Sequence, residues 1–324
     1  MNRRDAIVSA LALGAAPFGA WAQAAAKPRT IGWLSSGKPD SVYTRDGFEA
    51  FTRKLKDLGY VEGRDLAFER RWSGRNALGL PELARGLVEL NPAIIVAESS
   101  PATAALQKHT LTLPILFANI GEPVEQGFVA SLARPGGNIT GTTFRFELMR
   151  KLAELVRETL PAARRIALLE DERVAVSKRV SMRYGEAATA LGYKLDIVPA
   201  GAGEFERAFA ELARIKTQAL ILPPQYFPQA GKLAELATGA RLPTFGNYRE
   251  YAEAGSLVCN HTERAEGYQR VAIMTDRILK GAKPADLPVE EPERMYIVVN
   301  RRTARALDIK IPQSVLLRAD EVIE

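Results

Sequence analysis

The sequence predicts an α/β protein of two doubly wound, Rossmann-like lobes that are joined by a hinge of several strands. The chain has 324 residues, which is long for one compact α/β unit and sufficient for two lobes of ordinary domain size. From Thr30 onward, short apolar runs alternate with amphipathic helical segments, which is typical of β-α units around a parallel sheet. The same order begins again after a hydrophilic helix at Glu147–Leu160, which indicates a second lobe of similar build.

The first lobe is predicted to contain five strands and four helices before the chain leaves it. Gly59 ends the first helix, because glycine readily adopts the left-handed conformation that closes a helix. The strands are predicted at Ile31–Leu34, Asp65–Trp72, Ala93–Ala97, Pro114–Ala118 and Asn138–Phe144. The helices are predicted at Ser41–Leu58, Pro81–Leu90, Ala102–Lys108 and Val124–Leu132.

The second lobe repeats this order of elements without a repeat at the level of sequence. Its strands are predicted at Arg165–Leu169, Lys194–Val198, Ala219–Leu222 and Pro243–Phe245. Its helices are predicted at Ser177–Leu191, Glu204–Lys216 and Gln229–Thr238.

The last third of the chain predicts a return to the first lobe. A strand at Ser256–Cys259 and a long helix at Glu263–Leu279, ended by Gly281, follow a completed second lobe, so we expect this helix to pack on the first. A proline-rich link, Pro284–Pro292, then leads to a strand at Met295–Val299. Several crossings of this kind make a hinge rather than a flexible tether. The expected division is a first lobe of residues 28–145 plus about 260–283 and a second lobe of residues 146–259 plus about 284–324.

The N-terminus predicts an export signal over residues 1–26. Arg3 and Arg4 precede an apolar stretch, Ala6–Trp21, and small residues follow at Ala22 and Ala24, which is the layout of a signal that is cleaved, here near residues 22–26. The arginine pair fits a twin-arginine signal, but a Sec signal also carries positive charge there, so both routes stay open. We therefore expect a periplasmic protein.

Composition excludes several classes of function. The formal net charge of +6 is spread over interleaved acidic and basic residues, and no basic run is long enough to indicate nucleic-acid binding. The single cysteine, Cys259, cannot form an internal disulfide and lies in an apolar run. His109 and His261 are the only histidines, and neither belongs to a metal-binding motif. No metal site and no cofactor are predicted.

Motifs for catalysis are likewise missing, so the sequence does not predict an enzyme. The segment Gly32–Pro39 resembles a P-loop, but Pro39 replaces the residue whose hydroxyl would bind Mg²⁺. The dinucleotide pattern G-x-G-x-x-G and the hydrolase patterns G-x-S-x-G and H-E-x-x-H do not occur. The acidic run Glu170–Glu172 is the closest group of carboxylates, and its neighbouring side chains point in different directions.

Polar loops after the predicted strands favour a receptor for a small polar ligand. In open α/β sheets ligands bind at the carboxyl ends of the strands, where hydroxyls and helix N-termini suit a carboxylate. An aromatic and an acidic side chain from the opposite lobe would suit an amino acid. The predicted ligand-binding residues are Ser35, Ser36, Ser99, Ser100, Glu122, Asp171, Tyr226, Asn247 and Tyr248.

Longer motifs give the chain a family resemblance. They are Leu58-Gly-Tyr-Val-Glu-Gly63, Arg70-Arg-Trp72, Ile94-Ile-Val-Ala97, Gly121-Glu-Pro-Val124, the run Ser131–Gly141, the run Arg249–Gly255, the run Ile278–Glu290 and Ile311-Pro312. With these motifs the chain resembles the ABC-transporter substrate-binding proteins that include tryptophan and aromatic amino-acid binders, over nearly all of the mature chain. It departs from the family at Leu169–Arg173 and at Cys259–Thr262, where ligand contacts are expected.

The resemblance implies a type I periplasmic-binding fold and delivery of the ligand to an ABC permease and its ATPase. We expect a monomer that captures an amino acid or small carboxylate between its lobes. A ligand-sensing subunit of a signalling receptor is the alternative, and a periplasmic enzyme is a third possibility.

Overall fold

A computed structural model describes residues 27–74, 77–144, 147–171, 177–201 and 203–324. The predicted export signal at residues 1–26 and Glu172 of the acidic run lie outside these ranges.

The first lobe is a parallel sheet with helices on both faces. It contains β1 (Arg29–Ser35), β2 (Leu66–Trp72), β3 (Ile94–Ala97), β4 (Ile115–Ile120), β5 (Ile139–Thr143), α1 (Val42–Asp57), α2 (Leu80–Glu89) and α3 (Ser100–Gln107). Within the described residues the strands pair in the order β2-β1-β3-β4-β5. Adjacent residues of β1 point to opposite faces: Trp33 packs with Phe51 of α1, and Leu34 with the cluster that holds Leu87 of α2. Both faces are therefore buried, as a parallel sheet requires.

The second lobe has the same layered build with a larger sheet. Its strands are β6 (Arg165–Glu170), β7 (Lys194–Pro199), β8 (Ala219–Leu222), β9 (Thr244–Gly246), β10 (Val258–His261), β11 (Tyr296–Asn300) and β12 (Glu321–Ile323). Its helices are α4 (Glu147–Thr159), α5 (Ser177–Ala190), α6 (Phe205–Arg214), α7 (Ala230–Gly239), α8 (Arg249–Ala254), α10 (Arg301–Leu307) and α11 (Gln313–Leu316). The described strands pair in the order β12-β11-β10-β9-β8-β6-β7, and β11 runs antiparallel to β10. The predicted fold of two doubly wound lobes is confirmed.

The helix α9 (Arg264–Leu279) returns to the first lobe, as the sequence predicted. It packs against α1 and against β4 and β5. Gly267 permits this close approach, because a Cβ at that position would lie 1.8 Å from Oδ1 of Asn119. The Asn119 side chain then donates from Nδ2 to the carbonyl oxygen of Arg264, at 3.0 Å. This contact fixes the first turn of α9 at the end of β4.

One predicted helix, Val124–Leu132, is wrong. The segment consists of turns, in which Gly127 has a φ of +71° and the amide of Phe128 donates to the carbonyl oxygen of Pro123 at 2.9 Å. Phe128 and Val129 are buried in the core of the first lobe. The apolar spacing that suggested a helix therefore belongs to a turn that is anchored by its apolar side chains.

The proline-rich link also lies elsewhere than expected. The sequence predicts that residues from about 284 onward belong to the second lobe. In the structure, however, the amide of Val289 donates to the carbonyl oxygen of Leu132 at 2.7 Å, and the amide of Glu290 donates to that of Gly141 at 3.0 Å. The amide of Thr143 in turn donates to the backbone carbonyl oxygen of Glu290, at 2.9 Å. The link thus runs along the edge of the first sheet and reaches the second lobe only between Glu290 and β11.

The described chain crosses between the lobes after β5, after β10 and again before β11. These crossings confirm the predicted hinge of several segments. Among the described residues, no helix combines the length and the apolar character needed to cross a membrane.

Candidate ligand-binding cleft

The carboxyl ends of the two sheets face each other across a cleft. Arg183, in α5 after the end of β6, forms ion pairs with Glu122 and Glu125, which follow β4 of the first lobe. On another part of the cleft, Arg264 of α9 pairs with Glu250 of α8 at 3.2 Å. The first contact joins segments that follow strands of different lobes, and the second joins a helix of the second lobe to the first turn of α9, which packs on the first lobe.

A cavity of about 320 Å³ lies between the lobes, beside the crossing from β10 to α9. Its lining combines aromatic rings with side chains of both charges. The lining residues are Asp46, Gly47, Tyr248, Arg249, Glu250, Glu253, His261, Thr262, Glu263, Arg264, Ala265 and Tyr268. This volume lies at the lower end of the range of small-molecule sites, about 300–1,000 Å³.

A cation sits over two stacked rings at the second-lobe side of the cavity. The rings of Phe227 and Tyr248 are stacked with centroids 5.3 Å apart and planes 11° apart. The Cζ atom of Arg264 lies 5.1 Å from the centroid of Phe227 and 5.7 Å from that of Tyr248. The faces of these rings attract the guanidinium, so its position is fixed by the second lobe although its helix belongs to the first.

Tyr268 forms the first-lobe wall of the cavity. Its ring stacks on Trp33 with centroids 6.1 Å apart and lies against Gly47, where a Cβ would approach Cζ of the tyrosine to 2.5 Å. The Tyr268 hydroxyl donates to Oε1 of Glu98 at 2.8 Å. Glu98 directly follows β3 and is 4% exposed. Burial raises the pKa of Glu98 to about 7, although hydrogen bonds from Ser35 and Tyr268 act in the opposite direction.

The four predicted serines lie at the ends of β1 and β3, and three of their hydroxyls have structural partners. The Ser35 hydroxyl accepts from the amide of Gly37 at 3.0 Å. Ser99 caps α3 by accepting from the amide of Ala102 at 3.2 Å, and Ser100 accepts from Nε2 of Gln126 at 3.1 Å. Ser36 is half-buried beside them.

Glu122 and Asp171 follow β4 and β6 at the carboxyl ends of the two sheets. Oε1 of Glu122 accepts from Nε of Arg183 at 2.7 Å, and the Glu122 side chain is 6% exposed. Glu122 also has a φ of +49°, so the turn after β4 aims it across the cleft. Asp171 directly follows β6 and is half-exposed.

The three remaining predicted residues have different environments. Tyr226 is buried in the core of the second lobe, where its hydroxyl donates to the carbonyl oxygen of Ala200, so it does not face the cavity. Asn247 accepts from the hydroxyl of Tyr184 and donates to Oδ1 of Asn260 at 2.6 Å. Tyr248 lines the cavity.

Sequence reasoning missed Tyr268, Arg264 and the first-lobe residues Asp46 and Gly47. A signal for part of this set was present, because the sequence predicted that the helix after Glu263 returns to the first lobe, which places its first turn at the cleft. The departure from the family at Cys259–Thr262 also falls at this crossing, where His261 and Thr262 line the cavity.

A second recess, of about 480 Å³, lies along β7 and α6 at the outer edge of the second sheet. We do not assign the ligand to it, because its lining, which includes Val198, Pro199 and Arg207, comes from one lobe and lies away from the facing strand ends.

The chain is similar to known proteins in sequence and in fold. Residues 39–323 match the family described as ABC transporter substrate binding protein. The chain is 24% identical over 267 residues to a tyrosine-binding protein of Clostridioides difficile, covering 81% of this chain and 76% of the relative. A crystal structure of a conserved domain protein from Vibrio cholerae matches with a TM-score of 0.83 and 25% identity, covering 91% of this chain and all (100%) of that chain.

A structure from Streptococcus pneumonia, in complex with L-Trp, matches with a TM-score of 0.81 and 23% identity over the same shares of the two chains, 91% and 100%. The family match spans well over half of the chain and confirms the resemblance found in the sequence. The chain belongs to the ABC transporter substrate binding protein family.

Proposed function

We propose that this protein is a periplasmic receptor that closes its two lobes over an amino acid and delivers it to an ABC importer. The observation that carries the proposal is the cavity between the lobes, which offers aromatic walls together with groups of both charges. A zwitterion needs both charges to be matched, because a buried charge is costly unless it is paired.

The parts of such a ligand have candidate partners in the cavity. Arg264 can receive the ligand carboxylate, since guanidinium and carboxylate form the strongest charge-assisted hydrogen bonds in proteins. The carboxylates of Asp46, Glu250 and Glu263 surround the space with negative charge for an ammonium group. The rings of Tyr248 and Tyr268 can enclose an apolar or aromatic side chain.

Two similar proteins, a tyrosine-binding protein and a protein in complex with L-Trp, make aromatic amino acids the first ligands to test. We infer that the predicted loop residues Ser36 and Asp171 extend the site at the cleft. Tyr226 is left out because its hydroxyl donates to the carbonyl oxygen of Ala200 in the core of the second lobe. The proposal includes export by the N-terminal signal with Arg3 and Arg4, a monomeric state, no binding of nucleic acid and no catalytic step.

A calorimetric screen of the purified mature chain tests the proposal. The twenty amino acids and a set of small carboxylates are titrated, and we expect one or a few to bind with a Kd near the micromolar range, or about −8 kcal/mol. The variant Arg264→Met should weaken this binding at least tenfold, while the matched variant Arg150→Met, which removes an arginine whose ion pairs lie within α4, should leave it unchanged. A folded protein that binds none of the compounds would contradict the proposal.

A further inference from the structure

The cavity between the lobes carries more negative than positive charge. Its lining holds two guanidinium groups and four carboxylates, so two negative charges are in excess. A zwitterionic ligand without further charge leaves this excess unmatched, whereas a ligand with one additional positive charge offsets part of it. The guanidinium groups belong to Arg249 and Arg264, and the carboxylates belong to Asp46, Glu250, Glu253 and Glu263.

Both cations of the lining are paired with carboxylates of the same lining. Nε of Arg249 lies 2.8 Å from Oε1 of Glu253, and Arg249 also pairs with Glu321, which lies outside the lining. Nη2 of Arg264 lies 3.2 Å from Oε1 of Glu250. Each of these cations is therefore matched within the protein, and the excess negative charge comes from the other two carboxylates of the lining.

The other two carboxylates, of Asp46 and Glu263, have no strongly held cation among the described residues. Asp46 lies 3.4 Å from Nε of Arg45, its neighbour in sequence, and both side chains are exposed, so this pair contributes little. Glu263 occupies the N-cap of α9 without a capping hydrogen bond from its side chain, and it forms no ion pair within the described part of the chain. Because both carboxylates are on exposed side chains, they can turn towards a positive charge in the cavity.

His261 is a buried polar side chain in the same lining. It is 5% exposed, and its ring is stacked on Tyr296 with centroids 5.5 Å apart. Nδ1 lies 3.4 Å from the carbonyl oxygen of Thr262, to which it can donate. In that tautomer Nε2 is an acceptor, and it has no hydrogen-bond partner among the described residues. Like the two carboxylates, this nitrogen needs a donor.

The aromatic part of the lining is compatible with a positively charged ligand group. Tyr248 lines the cavity and is stacked on Phe227. The guanidinium of Arg264 lies over both rings, with Cζ 5.7 Å from the Tyr248 centroid. Because the faces of aromatic rings attract cations, aromatic walls do not by themselves select an apolar ligand side chain.

We propose, on the basis of the function proposed above, that the ligand is an amino acid with a positively charged side chain, and that Asp46 and Glu263 are the residues that select it. The α-carboxylate and α-ammonium groups of such a ligand cancel each other in net charge, and the side-chain cation offsets the excess negative charge of the lining. Its N–H groups donate to the two carboxylates and to Nε2 of His261. The selection depends on charge, so guanidinium and amine side chains both satisfy it.

Two pairs of amino acids test the inference in the unmodified protein by calorimetry. L-Arginine and L-citrulline have nearly the same shape, but the end group of citrulline is neutral; L-lysine differs from L-norleucine by its terminal ammonium group. We expect the charged member of at least one pair to bind about tenfold more tightly, with a smaller difference at high salt because salt screens the attraction. Equal affinities within both pairs would overturn the inference.

Removal of the two charges tests the assignment of the selecting residues. The double variant Asp46→Asn, Glu263→Gln can weaken both members of a pair through the α-ammonium group that they share, but the ratio of their affinities should fall towards one. Glu211→Gln, which removes a carboxylate of α6 that pairs with Arg214, should leave the ratio unchanged. A preference for the charged amino acid that persists in full in the double variant would overturn the assignment.

The same titrations separate this inference from the proposed function. If an amino acid with an uncharged side chain, such as tyrosine or tryptophan, binds and neither arginine nor lysine does, the inference fails and the proposed function stands. If no amino acid binds to the folded protein, both fail.

Discussion

Removing Arg183 should open the lobes of the ligand-free protein. Arg183 is the second-lobe side of a contact with Glu122 and Glu125 of the first lobe, at 2.7 Å in each case, and it also pairs with Glu186 of its own helix at 3.1 Å. The variant Arg183→Met keeps the aliphatic stem and loses the bonds that cross the cleft. We expect the equilibrium between open and closed forms to shift towards the open form.

The magnitude follows from the exposure of the partners. A charge-assisted hydrogen bond to a buried group contributes about 1.5–3 kcal/mol, and the Glu122 side chain is 6% exposed. The exposed pair with Glu125 adds less than about 1 kcal/mol. A loss of about 2 kcal/mol in the closed form alone corresponds to an approximately 30-fold change in the ratio of the two forms.

Small-angle X-ray scattering of the ligand-free protein measures the effect as a rise in the radius of gyration. Arg150→Met serves as the control, because Arg150 pairs with Glu147 and Glu154 within one helix. Salt at high concentration should also raise the radius of gyration of the wild-type protein, since it screens the contact. Identical scattering from Arg183→Met and the wild-type protein at low salt would refute the reasoning.

Further predictions concern the wall of the cavity and its support. Gly47→Ala places a Cβ 2.5 Å from Cζ of Tyr268, so the ring must move and ligand binding, measured by calorimetry, should weaken at least tenfold. An unchanged Kd would contradict the claim that Tyr268 forms a wall of the ligand cavity. Gly267→Ala would place a Cβ 1.8 Å from Oδ1 of Asn119. We expect it to lower the free energy of unfolding, measured by urea titration, by about 1–3 kcal/mol. A variant as stable as the wild-type protein would show that α9 can shift to accommodate the methyl group. The pKa of Glu98 is raised on folding, from 4.5 to about 7, so its folded form binds more protons than the unfolded form between these values. The wild-type free energy of unfolding should therefore fall by roughly 3 kcal/mol at most as pH rises from 5 to 8, and this fall should be absent in Glu98→Gln.

The sequence predicted most strands and the return of α9 because these features depend on local patterns. The buried run at Ile94–Ala97 has the length of a strand, and α9 has an amphipathic pattern closed by Gly281. The turn at 124–132 was mistaken for a helix because apolar spacing does not record which backbone conformation brings Phe128 and Val129 to the core.

The site was harder to predict than the fold. The strand ends indicated the edge of each sheet beside which the cavity lies, but a loop sequence does not tell whether a polar group faces the ligand or completes the local structure. Ser99 caps a helix and Tyr226 bonds to Ala200, both ordinary structural roles. Glu98 was missed because its importance comes from burial next to Tyr268, a residue 170 positions further along the chain.

A crystal structure of the protein grown with its best-binding amino acid tests the central claim most directly. The account predicts density for the ligand between Tyr248, Arg264 and Tyr268, with the ligand carboxylate on the guanidinium and the lobes closed. Ligand bound elsewhere, for example in the recess beside β7, with the cavity between the lobes filled only by solvent, would contradict it.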